Sequence, residues 1–512
     1  MTVAASKAQP EVRTVAGTVR GSLEAGVAVF RGIPFAEPPV GALRFAAPQP
    51  VGAWDGVREA VSFGAPPPQA GFFGMDALVQ EGIDDWLTIN VWSPSPDPGA
   101  GLPVMVWIQG GAYALGMSSL AEYDGGPIAH DGVVLVTFNY RVGIEGFAQI
   151  EGAPANRGLL DQVAALEWVR DNIRAFGGDP AQVTIFGQSA GGGSVASLLA
   201  MPRAAGLFHR AVAQSVPCGY FTPELAADIA AAFAAELGLR PTVADLSTVA
   251  PNDLSAAGDA VTAKIGQWAD RWGQPAHRTI PFAPVVDGDV LPVTPWQALA
   301  DGAARDIDLI VGHTREEHRL FLVIEDMLGQ VTPEQTATAL EIFAPGPDGA
   351  RRYRDAFPAA GPEELYELVY SDWLFRMPSF HLAEAQAAAG GRVHLFELAW
   401  QAPGMGGAFG ACHGLDVPFV FGNLDRGQPS VLIGAGPSPE AEAISARMRT
   451  AWTAFAIHGD PGWPAYDTGQ RLTQVFDTQP AVVAYPEEAS RLIWQDYAFS
   501  ALALTHQPVA NS

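Results

Sequence analysis

The chain has 512 residues, 48% hydrophobic and 16% charged, with a formal net charge of −26. That balance is globular and supplies a large apolar core. It argues against a nucleic-acid partner, because the 29 Lys and Arg are scattered along an acidic chain and form no phosphate-binding cluster. Two cysteines, Cys218 and Cys412, exclude a disulfide framework. No run approaches the ~20 apolar residues of a membrane span, so no membrane span is expected. Met1–Arg20 is polar and lacks the apolar stretch of a secretory leader, which sets a cytoplasmic location as the expectation.

Residues 1–10 read as a flexible leader. Thr14–Phe30 alternates in strand fashion with Gly-containing turns, as an antiparallel edge would. Thr88–Trp92 reads as a second strand, and Val104–Ile108 and Val133–Phe138 are short continuous apolar runs suited to strands buried on both faces. Leu159, Val163, Leu166, Val169 and Ile173 recur at helical spacing, and Gly177-Gly178 ends that helix. The next strand, Val183–Phe186, runs into Gly187-Gln188-Ser189-Ala190-Gly191 and a small-residue helix over Ser194–Met201. This order predicts a right-handed crossover unit of a parallel sheet. Residues 220–270, 333–345, 362–370 and 377–389 read as helices. Ile307–Val311 and Val393–Leu398 read as buried strands. A last long helix starts with Ser438 as N-cap and ends at Gly459. No repeat or low-complexity linker interrupts the chain, so 11–507 is expected to be one α/β catalytic domain. Its helical insertions fall at about 220–275 and 320–390.

The G-x-S-x-G run at Ser189 has the form of a nucleophile elbow, a serine on a tight turn between a buried strand and a helix. Its glycines are needed where a Cβ would meet neighbouring backbone. A serine hydroxyl near neutral pH needs an imidazole to take its proton and a carboxylate to orient that imidazole. The expected chain order is serine, acid, histidine. Strand Ile307–Val311 exits into Gly312-His313-Thr314-Arg315-Glu316-Glu317-His318, two adjacent carboxylates between which the residues alone do not choose. Among the later histidines, His381 lies in a predicted helix and His394 in a predicted strand. His413, in the glycine-flanked loop Phe409–Gly414 beyond strand Val393–Leu398, is favoured over His458. A cation at a helix C-terminus already explains His458. Strand Val104–Ile108 runs into Gln109-Gly110-Gly111-Ala112-Tyr113, a Gly-rich turn able to aim amides at an oxyanion.

These segments together resemble the type-B carboxylesterases, the family that includes the cholinesterases, and the bacterial-type esterases among them. The likeness covers nearly the whole chain. It is carried by Arg31-Gly32-Ile33-Pro34-Phe35-Ala36 with Pro38-Pro39-Val40-Gly41 and Leu43-Arg44-Phe45, and by Leu87-Thr88-Ile89-Asn90-Val91-Trp92. It continues in order through Asn139-Tyr140-Arg141-Val142-Gly143, Asn156-Arg157-Gly158-Leu159-Leu160-Asp161-Gln162 and Phe176-Gly177-Gly178-Asp179-Pro180.

The resemblance implies an α/β-hydrolase fold: a large, mostly parallel central sheet with helices on both faces and helical cap insertions. It implies a catalytic triad of Ser189, Glu317 and His413, which separates Glu317 from Glu316. It also implies an oxyanion hole of Gly111, Ala112 and Ala190, with no metal or organic cofactor. Ser215 matches a serine expected to support the triad with a hydrogen bond. The chain departs from the family in three places. Pro67 and Trp86 stand where secreted relatives have a disulfide, which suits a reducing compartment. Gln188 precedes the serine where choline-specific members have glutamate. Phe72 and Phe73 are the only aromatics offered by a loop that carries a tryptophan in those members, which argues against quaternary ammonium binding. In addition, His318 follows the acid, a position often glycine. The expected activity is serine-dependent hydrolysis of small to medium, largely apolar esters. The alternatives are a carbamate or aryl-amide hydrolase using the same triad, and a non-catalytic adhesion or scaffold relative. Tyr113, Phe72, Phe73, Trp373, Phe375 and Phe282 are the candidate pocket walls. The partner is a small-molecule ester, and no oligomeric state is implied.

Overall fold

The structure, a computed structural model, describes residues 9–69, 84–427, 429–434 and 436–505. Phe72, Phe73 and His506 lie outside the described residues. In chain order the first strands are β1 (Glu11–Arg13), β2 (Thr18–Arg20), β3 (Ser22–Glu24), β4 (Val27–Pro34), β5 (Val57–Glu59), β6 (Thr88–Ser93) and β7 (Leu102–Ile108). The rest are β8 (Val134–Phe138), β9 (Gly178–Gln188), β10 (Arg210–Gln214), β11 (Asp308–Thr314), β12 (Val393–Leu398), β13 (Leu472–Phe476) and β14 (Ala481–Ala484). β1, β2 and β5 make a small three-stranded sheet. The other 11 form one sheet in the order β14-β13-β12-β11-β10-β9-β7-β8-β6-β4-β3. The block from β8 to β13 is parallel, and antiparallel strands flank it on both sides.

Alternation along the parallel strands divides the interior into two cores, one on each face of the sheet. Val104, Val106, Ile108, Ile185, Leu309 and Val311 join one core. Met105, Trp107, Phe186, Val212, Ile310 and Phe396 join the other. The helix Arg157–Asn172 packs its apolar stripe into the first core. The helix Pro439–His458 covers the second, with Ser438 Oγ accepting from the Ala441 amide at its start and Gly459 at φ 71° closing it.

Arg141 and Arg157, away from the sheet edge, act as framework. The Arg141 guanidinium donates to Asp161 with both groups fully buried. The Arg157 guanidinium donates to the carbonyls of Ile144, Glu145 and Ala148.

Three local expectations change. The serine helix starts at Ala190, not Ser194. The strand before it spans Gly178–Gln188, longer than the apolar run that predicts it. The earlier helix start follows from glycines at 191, 192 and 193, which a period count reads as turn, and the strand gains its first residues by pairing beside β7, where Gly178 stands opposite Leu102. The predicted edge Thr14–Phe30 divides between two hairpins, β1–β2 and β3–β4. The region 220–270 holds the helices Pro223–Glu236, Val243–Leu246 and Pro251–Ala263.

Candidate active site

Ser189 sits between β9 and the helix Ala190–Ala200 with φ 59° and ψ −127°, a strained conformation for a residue with a side chain. The turn is held by the Ser189 amide donating to the Gln214 carbonyl (3.0 Å) and the Gly193 amide to the Ser189 carbonyl (2.8 Å). A Cβ at Gly191 would drive into the Ile108 carbonyl, and one at Gly192 into the Gln214 carbonyl. Sequence and conformation therefore fix each other here. The start of an 11-residue helix behind the serine also favours negative charge in front of it.

The loop after β7 lies directly against this turn. A Cβ on Gly110 would stand 2.8 Å from the Gln188 carbonyl oxygen and 3.1 Å from the Ser189 Cβ. Gly111, Ala112 and Tyr113 follow one another at φ 122°, 53° and 58°. Consecutive positive φ values turn successive amides toward one side, the backbone shape of an anion-binding concavity. Among the described residues, the amides of Gly111, Ala112 and Ala190 donate to no protein acceptor.

Glu317 and His413 meet across 96 residues of sequence: His413 Nδ1 lies 2.5 Å from Glu317 Oε2. The other carboxylate oxygen accepts from the Ser215 hydroxyl (2.6 Å) and the Thr314 amide (2.8 Å). Ser215 thus makes the supporting bond expected of it. Glu317 is fully buried. Burial works to raise its carboxyl, but the His413 charge and the His413, Ser215 and Thr314 hydrogen bonds outweigh this and hold it below the usual range. The ring of Phe375 stacks on the imidazole at 4.0 Å and 24°, and Phe321 lies 5.6 Å away. The Gln188 carboxamide nitrogen is 3.1 Å from His413 Nε2 and 3.4 Å from Nδ1. Near-equal distances put the amide over the ring, because an in-plane position equidistant from both nitrogens would collide with Cε1.

Behind Ser189 and His413, Gln214 links the two halves. Its carbonyl receives the Ser189 amide, its carboxamide donates to Asp416 (2.7 Å), and Trp452 donates to its side-chain oxygen (3.1 Å). His318, at the position often glycine, adopts φ −75° and ψ −12°, open to any residue, so no glycine is required. It is buried and stacks on Tyr370 at 4.4 Å. Cys412 is fully buried, and burial pushes its thiol far up, which makes it an inert small apolar group.

The predicted pocket walls separate. Phe375 reaches His413. Tyr113 packs on Phe147 at 4.7 Å, with its hydroxyl against Gly193 in the first turn of the serine helix. Trp373 packs on Phe343 (4.5 Å) and Phe282 on Phe233 (5.0 Å), whereas the rings paired with His413 are Phe321 and Phe375. The reason is geometric: residues 372–376 form a wide helical turn, so Trp373 and Phe375 point to different sides. Phe321 and Gln188, outside the predicted walls, also lie against the imidazole. Phe321 lies in the short helix Arg319–Ile324 that follows the acid loop, and nothing in the sequence places either it or Gln188 against the imidazole. Among the described residues, no group of three or more His, Cys, Asp or Glu could hold a metal ion, and no helix is long and apolar enough to cross a membrane.

Comparison with known proteins identifies the frame. The model of the Carboxylesterase family matches residues 8–345 and 350–490. The chain belongs to the carboxylesterase family. A para-nitrobenzyl esterase of Bacillus subtilis is 38% identical over 496 residues, covering 94% of this chain and 97% of that protein. A phenmedipham hydrolase of Pseudarthrobacter oxydans is 34% identical, covering 93% and 97%. A crystal structure of a Geobacillus stearothermophilus carboxylesterase superposes with a TM-score of 0.83 at 36% identity, over 95% of this chain and all of that one. The fold is the α/β-hydrolase fold, and this carboxylesterase is a serine hydrolase acting on carboxylic esters.

Proposed function

We propose that Ser189, His413 and Glu317 carry out this hydrolysis, with Gly111, Ala112 and Ala190 as the oxyanion donors, in a single catalytic domain spanning 11–507. The observation that carries the reading is the 2.5 Å contact of Glu317 with His413 beside the strained serine turn. His413 removes the Ser189 proton as Oγ bonds to the ester carbonyl carbon, and the three amides bind the resulting oxyanion. The C–O bond to the alcohol breaks, and His413 hands its proton to the departing oxygen. Water, deprotonated by the same imidazole, then attacks the acyl-enzyme and releases acid and free serine. Glu317, kept ionised by its hydrogen bonds, stabilises the imidazolium and fixes its tautomer.

Small to medium apolar esters are the substrate class, supported by the aromatic surroundings of His413 given by Phe375 and Phe321. A neutral Gln188 over the imidazole supplies no anion for a cationic alcohol. The free, buried cysteines and the absence of cysteine at 67 and 86 support a reducing compartment.

Turnover of short-chain p-nitrophenyl esters and labelling by a fluorophosphonate test the assignment. Ser189→Ala is expected to lose both, with a fall in kcat of about 10⁴-fold or more. Substantial residual turnover would refute it. Profiling matched ester, carbamate and aryl-amide substrates separates the bond types, with the ester expected to dominate kcat/KM.

A further inference from the structure

Glu316 takes no part in the chemistry above, yet it holds the loop that delivers His413. That loop leaves β12 and carries glycines at 404, 406, 407, 410 and 414, so its backbone is costly to order. Glu316 meets it with main chain and side chain together. Its amide donates to the Ala411 carbonyl (3.0 Å). Its Oε2 accepts from the Ala411 amide (2.8 Å) and from the Gln401 carboxamide (2.7 Å). Its Oε1 pairs with Arg319 (3.3 Å), whose Nε donates to the Ala408 carbonyl (2.7 Å). One residue on, the His413 amide donates to the Glu317 carbonyl (3.3 Å), so 316–317 and 411–413 form a short parallel ladder bridged at Glu316 and Cys412. Gly410, at φ 57°, is what lets the carboxylate in: a Cβ there would overlap Glu316 Oε2.

We propose that Glu316 is a positioning residue that sets the register of the His413 loop against the serine. This rests on the hydrolase reading given above. The two adjacent acids meet different partners, so one orients the imidazole and the other orients the backbone that carries it. A base displaced by about 1 Å costs on the order of 10²-fold in rate. The clamp therefore acts on kcat and leaves ester binding alone.

The test uses Glu316→Ala, Glu316→Gln and Gly410→Ala in the full chain. Four readouts are taken: kcat and KM on a short-chain p-nitrophenyl ester, the rate of fluorophosphonate inactivation, the thermal midpoint, and the deshielded proton NMR signal of the His413–Glu317 bond. Glu316→Ala is expected to lower kcat and the inactivation rate by about 10- to 100-fold with KM within a factor of two, and to shift or broaden the proton signal. Glu316→Gln, which keeps an acceptor for the Ala411 amide, is expected to recover most of kcat. Gly410→Ala should match Glu316→Ala, and the double variant should be no worse than either. Glu316→Ala with kcat and proton signal unchanged overturns the clamp, as does a Glu316→Gln no better than alanine. A parent protein that shows the proton signal but hydrolyses no ester would overturn the hydrolase assignment, and the effect of Glu316→Ala on that signal would still decide the clamp.

Discussion

Ser189 and His413 reach the same sheet edge by opposite means. Ser189 is fixed by its neighbours in sequence: β9 runs into it, the helix Ala190–Ala200 runs out of it, and glycines at 187, 191 and 192 admit backbone where side chains would collide. His413 is fixed by residues far away in the chain, Glu317 and Glu316 to its side and Arg319 against its loop. A group held locally ties activity to folding. A group held at long range can lose activity while the fold stays intact.

The largest effect should come from Glu317→Gln. It leaves the packing of the acid nearly unchanged but loses the charge and the tautomer control, so kcat is expected to fall about 10⁴-fold with a near-native thermal midpoint. A loss of fold in step with activity would erase the contrast between the two regions. Gly191→Ala is the opposite case. Its methyl group would press on the Ile108 carbonyl of β7, so a loss of about 4 kcal/mol or more is expected, seen in denaturant unfolding alongside a fall in active-site titre. Normal stability in this variant would show that the serine turn is less tightly specified than its glycines imply.

Asp416 sharpens the comparison through pH. Burial pushes its carboxyl up to about 6, against the bond from Gln214 and the charge of His413. Between the unfolded value near 4 and that folded value, the native state holds a proton that the unfolded chain releases. Stability from this group is therefore greatest at low pH and declines as pH rises toward 6. Asp416→Asn should remove that decline, improving stability at pH 8 relative to pH 4 by about 2–3 kcal/mol, as read from unfolding curves at the two pH values. An unchanged difference would remove Asp416 from the account. The smallest effect is expected for Ser215→Ala, which deletes one of the bonds that keep Glu317 ionised. About tenfold in kcat/KM is expected, with the thermal midpoint near native. A variant with kcat/KM unchanged would mean that the Thr314 amide and His413 alone suffice to hold Glu317.

The elbow was legible because its determinants are contiguous. The apolar strand, the paired glycines and the small helix that follows are one local pattern, and so are the Gly-rich turn after β7 and the caps of the helix Pro439–His458. The choice between Glu316 and Glu317 was not legible from the residues. Adjacent side chains with identical chemistry differ only in which partner each meets, and both partners lie in another part of the chain. The same limit separated Phe375 from Trp373, since residues two apart on a wide helical turn face different neighbours. It also hid Gln188, whose place over the imidazole depends on a loop 225 residues away.

By itself, the sequence determined the serine turn and most of the buried central strands, because glycine freedom, apolar runs and capping act over a few residues; β5, β10, β13 and β14 stand outside the predicted strands. Only the tertiary structure decided which carboxylate faces the imidazole, which fastens the loop, and which aromatic ring covers it. Those outcomes depend on contacts between segments that chain connectivity leaves free until the sheet brings them together.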